Sequence, residues 1–222
     1  MVSTIIDSDS SPFAQLCRAA MLVEFAIKAT WALPTDHSAI SKCPALVDQM
    51  CDFMFVVDRE GSGDKQADYS WIGSQALARS AAFVLLDFFA CPEKLSGQAG
   101  YVMSPGAKSE DEVCMTNRAM VMTKELAYQT HSLVQKLIPS MDTDELSSSY
   151  FSQISPHILD LVYSALATFY WFAAEEGNGA YQHHIYDMRQ FLGSMGSRWR
   201  LANEYLGLVG YHDSNNRAEF LT

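Results

Sequence analysis

This chain lacks several things, and each absence closes a route. Its five cysteines, at 17, 43, 51, 91 and 114, are odd in number and widely spaced, with no Cys-x-x-Cys pair. A structural zinc site therefore has no support, and neither a metal nor any other cofactor is expected. The thiols read by default as buried and free, in a reducing compartment. There is no run of basic residues: 15 Lys and Arg stand against 26 Asp and Glu, for a formal charge of −11. Duplex DNA is a polyanion that needs clustered cations, so direct nucleic-acid binding is not expected. The opening MVSTIIDSDS has neither a basic start nor a long apolar run. Secretion is not expected, and the nucleus or cytoplasm is. The longest apolar stretch, Leu161–Ala174, is too short for a bilayer and carries Ser164 and Thr168, so no membrane is expected. No Val/Ile/Thr run of strand period, no internal repeat, and no Gly-x-Ser-x-Gly elbow, phosphate loop or dinucleotide fingerprint occurs.

What is present points to a large helical core. Apolar residues make up 49% of the 222 and charged ones 18%, below the usual share of about 25%. Such a balance suits one domain, or at most two small ones, with some apolar surface covered by a partner. Ser11-Pro12 is a cap followed by proline at the first helical position. Phe13, Leu16, Cys17, Ala20, Val23 and Ile27 then recur at helical spacing until Pro34. Further helices are predicted over about 44–57 and 66–90, and over a long segment after Ser109, where Glu112 completes a capping box and Pro139 ends the run. Residues 92–108, rich in Gly and Pro, read as a long loop, and 142–150 as a polar connector. Ser155-Pro156 repeats the cap signal before a helix apolar on nearly every side, which belongs at the centre of an α domain. Gly177 is its natural stop. Helices over 181–192 and 198–209, divided by Gly193 and Gly196, precede a tail expected to fray from Tyr211. The expectation is one all-α domain over 1–210, with about seven helices around a buried central helix near 156–176, and a tail at 211–222.

Four blocks carry a resemblance. They are Ser11-Pro12-Phe13-Ala14-Gln15-Leu16-Cys17-Arg18-Ala19-Ala20-Met21-Leu22, then Ala82-Phe83-Val84-Leu85-Leu86-Asp87-Phe88-Phe89-Ala90-Cys91, then Ile154-Ser155-Pro156 through Asp160 with Tyr163, Ala165 and Trp171, and finally Arg198-Trp199 with Leu201-Ala202 and Tyr205-Leu206. In this order they resemble the C-terminal regulatory region of fungal zinc-cluster transcription factors. The resemblance implies an all-helical module of transcription regulation that controls activation, in some members by sensing a small molecule, with secondary metabolism as a setting. It departs from the family's pattern in having no six-cysteine zinc cluster. The chain starts at Met1 directly on the regulatory part, as a fragment, a shortened gene product or a stand-alone relative would. The partners expected are other regulatory proteins or an intact family member, with a small apolar ligand as an effector.

Individual residues admit functional and plainer readings. Asp87 and Asp160 each interrupt an apolar helix, and a buried carboxylate must be paired or hydrogen-bonded. With His157 they are the first candidates if the scaffold is instead an enzyme that rearranges or cyclises an apolar metabolite. The plainer reading is a helix-linking hydrogen bond to Arg79, Arg118 or a tyrosine hydroxyl. Asp160, Ser164, Thr168, Trp171 and Glu175 form a thin polar stripe. Phe83, Met115, Met122, Asp160, Phe169 and Trp171 are candidates to line an apolar ligand pocket, against plain core packing. His183 and Asp187 are four apart, but two ligands are an incomplete metal set, and an exposed pair of histidines is expected at 183 and 184. Arg198 and Arg200 flank Trp199 and are expected to stack or pair with acids. A third reading is a dimerisation or inhibitor subunit.

Overall fold

A computed structural model describes residues 11–33, 41–61, 69–90, 110–138, 154–177 and 179–219. All seven long elements among them are α-helices, and no strand occurs among the described residues, as the absence of strand periodicity requires. They are α1 (Pro12–Ala32), α2 (Cys43–Gly61), α3 (Ile72–Ala90), α4 (Glu110–Leu137), α5 (His157–Glu176), α6 (Gln182–Met195) and α7 (Arg200–Glu219), with short 3-10 turns at Tyr69–Trp71 and Gly179–Tyr181. The chain divides into two compact units, and the boundary falls inside α4, between Leu126 and Ala127. The loop at 92–108, the connector at 142–150 and the capping serine at 109 lie outside the described residues.

The first unit is built on α3. Thirteen of its 19 residues are buried, seven of them Gly, Ser or Ala. Small side chains let another backbone approach closely, and α1 packs along α3 through its own small residues Ala19 and Ala26, with Leu22 between them. α2 lies against α3 through the stripe Val47, Met50, Phe53, Met54 and Val57. Tyr69–Ala90 is the one stretch among the described residues long and apolar enough to cross a membrane, and it is mostly buried inside the protein, as a core helix is. α1 starts where Ser11 and Pro12 put it: the Ser11 hydroxyl accepts from the Ala14 amide at 3.3 Å. Its buried face is Gln15, Ala19, Leu22 and Ala26, one of two apolar sides.

The second unit centres on α5, which carries Ile158, Leu159, Leu161, Val162, Ala165, Leu166, Phe169 and Phe172 inward. α6, α7 and the turn at Gly179–Tyr181 pack on it. Gly177 ends α5 in the left-handed region at φ 59°, its amide bonded to the Ala173 carbonyl at 3.2 Å. Three details differ from the sequence reading. Ser155 is not a side-chain cap: α5 begins after Pro156, and the Ser155 carbonyl accepts from the Ile158 amide. Gly193 lies within α6, and the break comes only at Gly196, where a Cβ would collide with the Asn203 side chain. α7 runs on to Glu219, past the expected end at Val209.

Candidate functional site

The six pocket candidates fall into two sets, one in each unit. In the first unit Phe83 and Met115 are buried core residues, and the half-buried Met122 sulfur accepts from Arg118 Nε at 3.4 Å. In the second unit Asp160, Phe169 and Trp171 have separate neighbours. Asp160 is exposed rather than buried, and its carboxylate accepts from the Tyr205 hydroxyl on α7. Burial and that carboxylate push the Tyr205 hydroxyl above its ordinary range. Tyr205 also stacks on Tyr163, with centroids 4.5 Å apart. Asp160 thus makes the helix-linking bond that was the plainer reading of it. Trp171 is half-buried against Phe172. In the polar stripe, Thr168 gives its hydroxyl to the Ser164 carbonyl at 2.9 Å, and Glu175 is exposed.

The three polar candidates for catalysis are likewise divided. Asp87 is half-buried on α3 in the first unit, whereas His157 and Asp160 share the first turn of α5 in the second. Both arginines considered for Asp87 have acids elsewhere in the first unit. Arg79 bonds Asp58 at 2.6 Å, and Arg118 pairs with Asp48.

Phe169 is where the second unit gathers its polar aromatic groups. His184 of α6 lies on its ring, and Tyr128 of α4 meets both edge-on. His131, also on α4, stands edge-on to His184 at 4.3 Å. The side chain of His131 is only 8% exposed, and its Nε2 lies 2.8 Å from Asp187 Oδ2. Gln135 donates to the same oxygen at 3.0 Å. Burial works against the Asp187 carboxylate, but the bonds from His131 and Gln135 outweigh it and hold its pKa below the usual value. Burial, with His131 and His183 nearby, pushes His184 down to about 4, so the ring is neutral at pH 7. Its Nδ1 is enclosed without a hydrogen-bond partner among the described residues. No group of three or more possible metal ligands occurs among the described residues. This assembly is a packed aromatic cluster with His131 hydrogen-bonded to Asp187 at its edge. His183 is exposed as expected, but His184 is not part of an exposed pair.

A different feature stands on α1. Phe13, Cys17, Ala20, Met21, Glu24, Ile27 and Trp31 all lie on its exposed side, with Phe13 73% and Trp31 77% accessible. Most residues whose spacing announces this helix therefore face outward, because the opposite side fits α3. The carboxylate of Glu24 pairs with Lys28 one turn on. The thiols follow the same logic: Cys43 is buried, which raises its pKa to about 11, whereas Cys17 and Cys114 are exposed. Cys91 lies outside the described residues.

No family model, no curated protein and no solved structure matches this chain.

Sequence reasoning missed His131 and the outward face of α1. His131 is an isolated histidine in an amphipathic run, and its partner Asp187 is 56 residues away. For α1 the apolar residues read from the spacing share one side of the helix, and it is the opposite side, with the smaller Ala19 and Ala26 beside Leu22, that is buried. The basic residues around Trp199 were legible: Arg198 stacks over its ring at 5.2 Å, and Arg200 pairs with Glu204.

Proposed function

We propose that this chain is a helical module of transcription regulation that works by binding protein partners and does not itself grip DNA. The observation that carries the reading is the outward face of α1. Two large aromatic side chains more than 70% exposed at either end of one helix, with Met21 and Ile27 between, form a surface of the kind other proteins bind. The acidic balance of the chain, −11 overall, supports partners other than nucleic acid. The order of the four sequence blocks supports the regulatory setting, in the nucleus or cytoplasm and with secondary metabolism as its context. A small apolar effector belongs to the same proposal. It would act by favouring one helix arrangement over another, and Phe169 with its ring neighbours is the place to seek it.

The test is to tether the chain to an unrelated DNA-binding domain in a fungal host and read a reporter gene. A change in transcription beyond that of the DNA-binding domain alone, lost when Phe13 and Trp31 are both changed to Ser, is the expected result. A reporter that responds no differently with or without the chain overturns the reading. Sequence-selective duplex binding by the untethered chain at near-physiological salt overturns the second half of it.

A further inference from the structure

The exposed side of α1 has a definite pattern. Phe13, Cys17, Ala20, Glu24, Ile27 and Trp31 are all exposed, and they follow one another in alternating steps of four and three residues. That average period of 3.5 is the one at which a helix keeps a continuous seam toward a second helix. The opposite side, Gln15, Ala19, Leu22 and Ala26, is already occupied inside the first unit.

Resting on the reading of this face as a partner surface, we propose that its occupant is the same face of a second copy, with the two α1 helices antiparallel. The sizes along the seam carry the choice. Large rings stand at both ends, and small side chains, Cys17 and Ala20, lie near the middle. Turned end for end, a second copy sets Phe13 beside Trp31, Cys17 beside Ile27, and Ala20 beside Glu24. Two helices that cross are closest at their midpoint and diverge outward. Near the crossing each small residue faces a larger one, Ala20 the side chain of Glu24 and Cys17 that of Ile27, and the paired rings fall at the diverging ends. Charge fixes the direction. A parallel pair would bring Glu24 against Glu24, whereas the antiparallel pair brings it against Ala20, with its own Lys28 as counter-charge. Although the chain carries −11, this seam is close to neutral, which suits its own copy better than a polycationic partner.

One helix of 21 residues is about 30 Å long and offers less than the roughly 800 Å² per partner of a standard interface. The dimer is therefore weak and concentration-dependent. Two chains of −11 repel, so added salt strengthens the association.

The experiment is sedimentation velocity of the whole chain across a concentration series of about 1–100 µM, spanning the range of a weak interface. A monomer–dimer equilibrium is expected. The Phe13→Ser/Trp31→Ser variant is expected to weaken it tenfold or more with unchanged helicity. Orientation is read by mild oxidation on a reducing-versus-nonreducing gel. The Ile27→Cys variant is expected to form a linked dimer through Cys17 of the other copy, and to lose it when Cys17→Ser is added. A chain monomeric at every concentration, or a dimer indifferent to the double variant, overturns the proposal. A Cys17–Cys17 link in the unaltered chain overturns the antiparallel geometry. If the chain is monomeric while the tethered reporter still responds in an α1-dependent way, self-pairing fails and the partner-binding function stands. If it dimerises as described with no effect on the reporter, the function fails and the pairing stands.

Discussion

His184 lies flat on Phe169, with ring centroids 4.8 Å apart and planes 11° from parallel. A protonated imidazole in that position would be taken out of water beside His131 and His183, and so the folded protein holds the ring neutral, with a pKa of about 4 against an ordinary 6.5. The unfolded chain binds this proton more readily. The stabilisation is therefore complete above about pH 6.5 and is lost as the pH falls toward 4, by on the order of 1–3 kcal/mol. Urea melts between pH 7 and 4 should show this loss. His184→Phe, which keeps the stack and removes the titration, should flatten it. A variant as pH-sensitive as the unaltered chain would assign the loss elsewhere.

Arg79 is a buried charge, its side chain 6% exposed and bonded to Asp58 at 2.6 Å. Asp58 is 41% exposed, so the pair is partly screened. Asp58→Ala leaves the guanidinium buried without its carboxylate and is expected to cost about 1–3 kcal/mol. Arg79→Met removes the charge along with the bond and should cost less. The order of the two denaturation midpoints checks this.

Tyr205→Phe should separate the hydroxyl from the ring. The bond to Asp160 goes and the stack on Tyr163 stays, so a loss of about 1 kcal/mol is expected, with the near-UV spectrum little changed. Tyr205→Ala removes both and should cost clearly more in the same melt.

Three glycines should respond differently to alanine. Gly177→Ala forces a side chain into the left-handed region and is expected to cost about 1 kcal/mol. Gly196→Ala drives the new Cβ into Asn203, whose amide donates to the Gly196 carbonyl at 2.9 Å, and should cost about as much. At Gly193, inside α6 with open space around a Cβ, alanine should stabilise by about 0.5–1 kcal/mol. Thermal melts of the three variants give the ranking.

The helices were legible because their signals are local. Ser11 caps α1 through a hydroxyl three residues from the amide it serves, and Gly177 ends α5 because it alone accepts that backbone turn at little cost. The outward face of α1 was not legible as such. Phe13, Cys17 and Ile27 have the apolar character of core residues, but Ala19, Leu22 and Ala26 fit closer to the small-residue surface of α3. The candidate site divided in the same way. Phe169 was singled out by its aromatic bulk, while His131 and Asp187 meet only through the packing of α4 against α6 in the second unit.

The sequence by itself determined that this protein is helical, where most helices start and stop, and that α5 is buried. Those outcomes follow from backbone hydrogen bonds and side-chain periodicity within a few residues. Only tertiary structure decided which side of α1 stays in water, that Asp160 is tied to Tyr205, and that His184 is kept neutral on Phe169. Each of these depends on groups distant along the chain, and their free energies arise only when neighbouring helices exclude solvent from both partners together.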